Sequence, residues 1–444
     1  MRDRKGQWQH RTVMLSMVGM VVCLAVGELA SSNQPLKSSK ALAANRSQGA
    51  SSLESDPFEY FKQGQAYSNE GKYEKAIDAF NEAESRGARF YELFVFRGYA
   101  YHEIREFQKA KRDAEKAIVF QPARMLGYEL LAGVALAMGS FNDAIAVLTN
   151  GITKVEGIER AKLIKARGRF LLNREQQEDA IRDLTRATEL GDISAVTYYL
   201  RGDAYRELGR YELAIQDYSE ALKIQSSHAP SLRNRGWVYD CTGDLEKSLA
   251  DFNQLLARFP EDLLTRRMRG WVRIEIGDKD GALADLSYAL ERGSKDSWTF
   301  LNAAAAYSLH ENTAKALEVN GQGLALKDPD SEYALQFQRG LLLLISGQEA
   351  EARAFYKKAG ASALKKQDPL DLQVAIAELK EEMNFHPHIA GVAESILKEL
   401  EHVLTKTKAP HKPRRNQCQQ FKKESEAGHR VTAVRPVRDA VTLR

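Results

Sequence analysis

Five arginines in this 444-residue chain are each followed, sixteen residues later, by an aspartate: Arg97 by Asp113, Arg167 by Asp183, Arg201 by Asp217, Arg235 by Asp251 and Arg269 by Asp285. A guanidinium and a carboxylate held in register make a charge-assisted, two-pronged hydrogen bond, so the expected chemistry is a structural ion pair bridging two neighbouring helices. The sequence has no Gly-rich phosphate loop ending in Lys-Ser or Lys-Thr, no His-Glu-x-x-His and no Gly-x-Ser-x-Gly. Those are the spacings that phosphate binding, zinc hydrolysis and serine nucleophiles need. Gly321-Gln322-Gly323 is too short for a phosphate cradle, and His386-Pro387-His388 reads as a turn between helices rather than a metal pair. Cys23, Cys241 and Cys418 are too far apart for a Cys-x-x-Cys thiolate site. No catalytic residue, cofactor or metal is expected.

What must position those arginines is a repeat. Arg-Gly recurs at Arg97-Gly98, Arg167-Gly168, Arg201-Gly202, Arg235-Gly236, Arg269-Gly270 and Arg339-Gly340, and from Gly168 to Gly270 the interval is 34 residues each time. A fixed period of about 20 to 50 residues marks a stacked array, in which each unit buries its apolar face only against its neighbours. Nine units laid out at this step start at 57, 91, 125, 161, 195, 229, 263, 297 and 333, with two-residue insertions near Gly157-Ile158 and Asp328–Asp330. The Arg and Asp of the ion pairs fall at positions 7 and 23 of the unit. Each pair is expected to bridge the two helices of its unit, and loss of one partner to cost about 3–5 kcal/mol if buried and about 0–1 if exposed. Arg339, opposite Phe355, breaks the rule, and the first, third and eighth units lack both partners.

In this register the chain resembles the tetratricopeptide-repeat family, whose pattern wants a small residue at position 8, an aromatic at 11, Ala at 20, an aromatic at 24 and Ala at 27. The fifth unit carries Tyr198, Gly202, Tyr205, Gly209, Tyr211, Ala214, Tyr218 and Ala221, and the first carries Gly64, Tyr67, Gly71, Tyr73, Ala76, Phe80 and Ala83. Small residues at 8 and 20 let the two helices of a unit approach closely. The third unit departs at Ala132 and Gly151, the eighth at Ala304, Asn320 and Gly323, and the seventh has Arg273 where an aromatic is usual; looser packing is expected there. The resemblance covers about two-thirds of the chain. It implies an all-α fold, a right-handed α-solenoid of nine helix-turn-helix repeats over 57–360, and helical patterns at Leu370–Met383 and Ile389–Leu404 suggest capping helices over 361–404.

By the family's geometry, positions 2, 5, 9 and 12 of each first helix line a concave binding groove. Here they include Lys162, Lys165, Arg169, Arg206, Arg233 and Arg267, interleaved with Tyr199, Trp237 and Trp271 and relieved by Asp203 and Asp240. The resemblance therefore implies a protein partner, and the strip of cations an acidic segment of it, since Trp, Tyr and Arg dominate binding hot spots. The family's carboxylate clamp needs Lys at 5 and Asn at 9 of one unit, and no unit has that pair. Phe337, Leu341 and Leu344 make the ninth unit's face apolar, to be covered by the cap.

The two ends read differently. Arg2, Arg4, Lys5 and Arg11 precede an uncharged stretch from Thr12 to Gly27, the signature of an export signal over 1–27, cleaved or kept as an N-terminal anchor. Residues 28–56 read as a Ser/Ala-rich flexible linker, and 405–444, with eleven basic against three acidic residues, as a basic disordered tail. The expected site of action is outside the cytoplasm: periplasmic, lumenal or secreted. Nucleic acid is not an expected partner, because the tail lacks aromatic interleaving and a recognition motif; membrane contact is expected only through the N-terminal segment or the tail. Composition, 43% hydrophobic and 28% charged, excludes a multi-span membrane protein. The function expected is a non-enzymatic scaffold or adaptor, with a substrate-selecting regulatory subunit of an enzyme or chaperone assembly as the alternative.

Overall fold

The structure, a computed structural model, describes residues 56–407 apart from 330, 367 and 368. The expected signal over 1–27, the linker before Asp56 and the tail from Lys408 onward lie outside the described residues. Contacts divide the chain after Ile193 into two units. The first holds α1 (Pro57–Asn69), α2 (Tyr73–Ser85), α3 (Tyr91–Glu103), α4 (Phe107–Phe120), α5 (Met125–Ala137), α6 (Phe141–Lys154), α7 (Gly157–Leu172) and α8 (Gln177–Glu189). The second holds α9 (Ala195–Glu207), α10 (Tyr211–Ile224), α11 (Ala229–Thr242), α12 (Leu245–Arg258), α13 (Leu263–Glu275), α14 (Lys279–Glu291), α15 (Ser297–Leu309), α16 (Thr313–Ala325), α17 (Glu332–Ile345) and α18 (Glu349–Lys366). It ends with α19 (Pro369–Phe385), a 3₁₀ turn (Pro387–Ile389) and α20 (Ala390–Lys406). Within each unit every helix packs on the next, and the first helix of each hairpin also touches the first helix of the following one. Among the described residues there are no strands.

Local chemistry explains the hairpins. Asp56, Ser194 and Asp262 cap α1, α9 and α13 by accepting from the backbone amides of Phe58, Thr197 and Thr265. The residue at position 15, in the turn that ends each first helix, has a positive φ in all nine hairpins: Gly71, Gly139, Gly209, Gly243, Gly277 and Gly347, but also Arg105, Glu175 and Glu311. Glycine takes this left-handed conformation freely; the other three carry steric strain there.

Position 8 shows why the hairpins need small residues. A Cβ built on Gly236 would lie 2.7 Å from Cε1 of Phe252, so α11 and α12 can approach this closely only with glycine at the crossing. Ala214 and Ala221 on α10, at positions 20 and 27, are 0% exposed, as their equivalents Ala76 and Ala83 are on α2. These two hairpins thus interlock through small residues while Tyr218 and Phe80, at position 24, fill the layer.

Two expectations are corrected. The fourth first helix starts at Gly157, not 161: the inserted residues add a turn, and Arg160 Nε donates to the Val155 carbonyl at 2.6 Å. The departing units are not loose. In the third, Tyr128 fills the space at Gly151, where a Cβ would meet its Cγ at 2.7 Å. In the eighth, buried Asn320 donates from Nδ2 to the Leu335 carbonyl at 2.9 Å and to Gln338 Oε1 at 3.0 Å. In the seventh, Arg273 joins an ion cluster described below. The cap helices bury the ninth hairpin's apolar face: Phe337 and Leu344 share a core with Leu372, Ile376, Leu379, Ile396 and Leu400.

Candidate functional site

The arginine at position 7 makes a clasp of constant geometry. Nε and Nη2 of Arg235 donate to Oδ2 and Oδ1 of Asp251 at 2.8 and 2.7 Å. Arg97 on Asp113, Arg167 on Asp183, Arg201 on Asp217 and Arg269 on Asp285 repeat this fork at 2.7–3.0 Å. The third nitrogen reaches back to the preceding hairpin. Nη1 of Arg97, Arg167, Arg235 and Arg269 bonds Asn81, Thr149, Ser219 and Asn253 at 2.7–3.0 Å, in each case the polar residue at position 25. One side chain therefore ties its own two helices to the second helix before it. Hydrogen bonding to Asp183 and Asp217 pushes the Arg167 and Arg201 guanidinium groups up from their ordinary value, with burial opposing. These residues hold the frame; their polar atoms face each other and not a ligand.

Asp113 forms the expected fork with Arg97, and in this unit a second anion shares the arginine. Asp113 is 3% exposed and Arg97 4%, so this clasp is closed to solvent, whereas the arginines of the other four are only half-buried. Nor is Asp113 the sole anion on Arg97, because Glu84 Oε2 on α2 accepts from Arg97 Nη1 at 2.5 Å. The physical reason is burial itself: a guanidinium withdrawn from water needs more of its five donors satisfied than one carboxylate can reach. Asp113 therefore belongs to a three-residue ion cluster joining α2, α3 and α4, and it is a frame residue out of reach of any partner.

The first-helix faces differ from the basic strip read in the sequence, because most of its cations already carry a carboxylate. In the first unit Lys165 Nζ lies 2.7 Å from Asp192 Oδ2, while Lys162 and Arg169 are half-buried on the same helix. In the second unit Arg233 pairs with Asp262, and Arg267 Nε lies 2.8 Å from Asp296 Oδ2. Arg206 lies 3.2 Å from Asp203 and stacks 5.4 Å from the Trp237 ring centroid. Each of these position-5 cations thus grips an aspartate just ahead of the next first helix, 27 to 29 residues along the chain. Asp262 is also an N-cap. Burial works against its charge, but the Thr265 amide and the Arg233 guanidinium hold it below the usual carboxylate range.

What remains on the second unit's face is aromatic. Tyr199, Trp237, Trp271 and Trp298 are all half-buried there. Tyr199 packs edge-on against His228 at 5.3 Å, and Trp237 meets Tyr211 edge-on at 6.2 Å. Burial, then the charge of Asp203, pushes the Tyr199 phenol well up. Asp203 Oδ1 accepts from Tyr218 Oη and Asn234 Nδ2, both at 2.7 Å, so the amide of Asn234 is spent inside the protein. Sequence reasoning missed Asp192, Asp262 and Asp296; the signal available was an acidic residue before each first helix at a near-constant distance from a position-5 cation. Among the described residues no group of three or more His, Cys, Asp or Glu side chains could hold a metal ion, and no helix is long and apolar enough to cross a membrane.

Comparison with known proteins agrees with this build. Residues 60–86, 192–261 and 234–297 each match a model of the tetratricopeptide repeat. No curated protein matches the sequence. A tetratricopeptide repeat protein from Parabacteroides merdae is similar at 17% identity, over 57% of this chain and 98% of that one, with a TM-score of 0.42. MamA is similar at 21% identity over 36% and 93%, TM-score 0.34. YrrB, described as a TPR protein with an unusual peptide-binding site, is similar at 18% over 43% and 96%, TM-score 0.34.

Proposed function

The chain belongs to the tetratricopeptide-repeat proteins, and from that premise we propose that it is a non-enzymatic adaptor which holds a segment of another protein on the first-helix face of the unit beginning at Ser194. Repeats of this kind serve protein–protein interaction, and the fold by itself fixes no partner. The observation that carries the reading is the row of half-buried aromatic side chains, Tyr199, Trp237, Trp271 and Trp298, on helices α9, α11, α13 and α15. Such rings offer large, stiff contact area at small entropic cost.

The partner's charge follows from the pairing. A ligand carboxylate aimed at Arg233 or Arg267 would have to displace Asp262 or Asp296, so acidity gives it little advantage. We place the action outside the cytoplasm, on the strength of the basic flank and the uncharged stretch from Thr12 to Gly27. The test is affinity capture from the exported fraction with the chain from Glu28 onward, beside a Trp237→Ala, Trp271→Ala variant. A protein held by the parent and lost by the still-helical variant supports the reading. Capture of the same set by both would remove the aromatic face as the site.

A further inference from the structure

Cys241 is disulfide-bonded. The structure holds one chain, and the other cysteines of that chain are Cys23 and Cys418, so the bond goes to one of these. Both lie outside the described residues, and their places in the sequence choose between them. Cys23 stands inside the uncharged stretch from Thr12 to Gly27, which export either cuts away or leaves in the membrane, where it could not stay bonded to the folded body. Cys418 remains with the body in both cases. A lasting disulfide also suits the location outside the cytoplasm proposed above, since thiols in the cytosol are kept reduced.

The Cys241 side is built for a bridge that lasts. Cys241 stands one turn beyond Trp237 on α11, and residues four apart share a helix face. It is 0% exposed, in a core with Tyr211, Tyr218 and Val238 against which Trp237 also packs. A sulfur closed to solvent exchanges poorly with external thiols, the behaviour of a structural disulfide rather than a labile one. The other side is within reach. α20 ends at Lys406, and the twelve further residues to Cys418 span at most about 40 Å. The cap touches α17, and α17, α15, α13 and α11 touch in turn, three steps of about 8–10 Å each after the cap itself.

We infer that Cys241 and Cys418 form an intramolecular disulfide, which straps the basic tail across the first-helix faces of hairpins seven to nine. The span leaves little slack, so the strap runs over Trp271 and Trp298 and leaves Tyr199, on the far side of α11, clear. The bond forms by exchange with an external disulfide oxidant. The Cys418 thiolate attacks that disulfide, releasing one thiol and leaving a mixed disulfide; the Cys241 thiolate then attacks the Cys418 sulfur and releases the second thiol. The two thiols of the chain are oxidised, and the oxidant's two sulfurs take up the two electrons and the two protons. That the strap limits a partner's access rests on the aromatic face being the partner site; the bond itself does not.

Mass spectrometry of the full chain from the exported fraction, unfolded, alkylated and digested with trypsin without reduction, reads the bond. The expected species joins the peptide Gly236–Lys247 to the peptide Asn416–Lys422 and disappears after dithiothreitol. Cys418→Ser, altered only outside the folded body, should leave Cys241 open to alkylation once unfolded and keep the helical circular dichroism. It should also raise the acrylamide quenching of tryptophan fluorescence, because Trp237, Trp271 and Trp298 are the tryptophans of the folded body. Alkylation of both cysteines in the unreduced parent, or a bond from Gly236–Lys247 to the peptide holding Cys23, would overturn the inference. A Cys241–Cys418 bond whose loss leaves the quenching unchanged would overturn the path given to the tail. Capture of a foreign protein by the aromatic face is read by neither measurement, so the two readings fail separately.

Discussion

Asp285 Oδ2 lies 2.8 Å from Nη1 of Arg273, a residue standing where the repeat ordinarily has an aromatic ring. The same carboxylate takes the two-pronged clasp of Arg269 and an Nη1 bond from Arg266 at 3.2 Å. Three guanidinium groups thus converge on one side chain that is 2% exposed. Arg273 is not a blemish in the pattern; it fills the missing ring's place with charge and bonds the Gly281 carbonyl at 3.0 Å as well.

Removing Asp285 leaves that convergence without its anion. Asp285→Ala should cost about 3–5 kcal/mol, the range for stripping one partner from a buried ion cluster. Asp278→Ala, which removes the 43%-exposed partner of the same Arg273 and the side chain that caps α14 by accepting from the Gly281 amide, should cost about 1–2 kcal/mol, mostly through the lost cap. Urea unfolding midpoints of the two variants decide it. Equal shifts would mean that the cluster is no more than a surface ion pair.

Backbone strain offers a change of opposite sign at equivalent positions. Glu311 has φ +57° at the turn site where Gly243 has φ +81°. Glu311→Gly should stabilise by roughly 0.5–1 kcal/mol, less than the full left-handed penalty because glycine loses more freedom on folding. Gly243→Ala should destabilise by about 1–2 kcal/mol although no atom lies within 4 Å of the added methyl. Thermal melts of both variants against the parent measure this, and a destabilised Glu311→Gly would show that the glutamate side chain outweighs its strain.

A steric prediction concerns Gly236. Gly236→Ala pushes a methyl group into the Phe252 ring, and overpacking of this kind costs about 1–3 kcal/mol. Adding Phe252→Leu should recover part of the loss, because the branched side chain withdraws from the crossing. A double-mutant cycle with no favourable coupling would place the penalty in the helix backbone instead.

The frame was open to reading from the sequence because each of its contacts repeats with the helix-pair period. Gly236 against Phe252 and Arg235 against Asp251 are both sixteen residues apart, so the interval betrays the contact. The same interval found Asp113 for Arg97 but not Glu84, which lies thirteen residues before that arginine in the preceding hairpin and has no counterpart elsewhere in the pattern. The starts of eight first helices follow from the 34-residue step to within one residue. Gly157 escaped because an insertion changes the length of a helix without changing its phase downstream. The site was less legible. Arg233 and Asp262 lie 29 residues apart in different hairpins, and no rule of one repeat says that a cation on the binding face is spoken for by the next unit's cap. Reading Arg233, Arg267 and Lys165 as available charge followed from treating each helix face alone.

The Arg233–Asp262 contact gives the pH test. Asp262 is held below its ordinary value of 3.8 in the fold, so the unfolded chain takes up its proton first as pH falls. Its stabilisation is complete above about pH 5, declines as the unfolded carboxyl protonates, and is lost once pH drops through the lower folded value. Asp262→Asn keeps a side chain able to cap α13 but removes the charge. At pH 7 the variant should melt below the parent, and the gap should close progressively between about pH 5 and pH 2. Arg233→Gln should narrow the same window, since it removes one of the two groups that hold the carboxylate ionised. A gap that stays constant from pH 7 to about pH 2 would show that Asp262 contributes through shape and hydrogen bonding rather than through its charge, and the position-5 cations would then be available to a ligand after all.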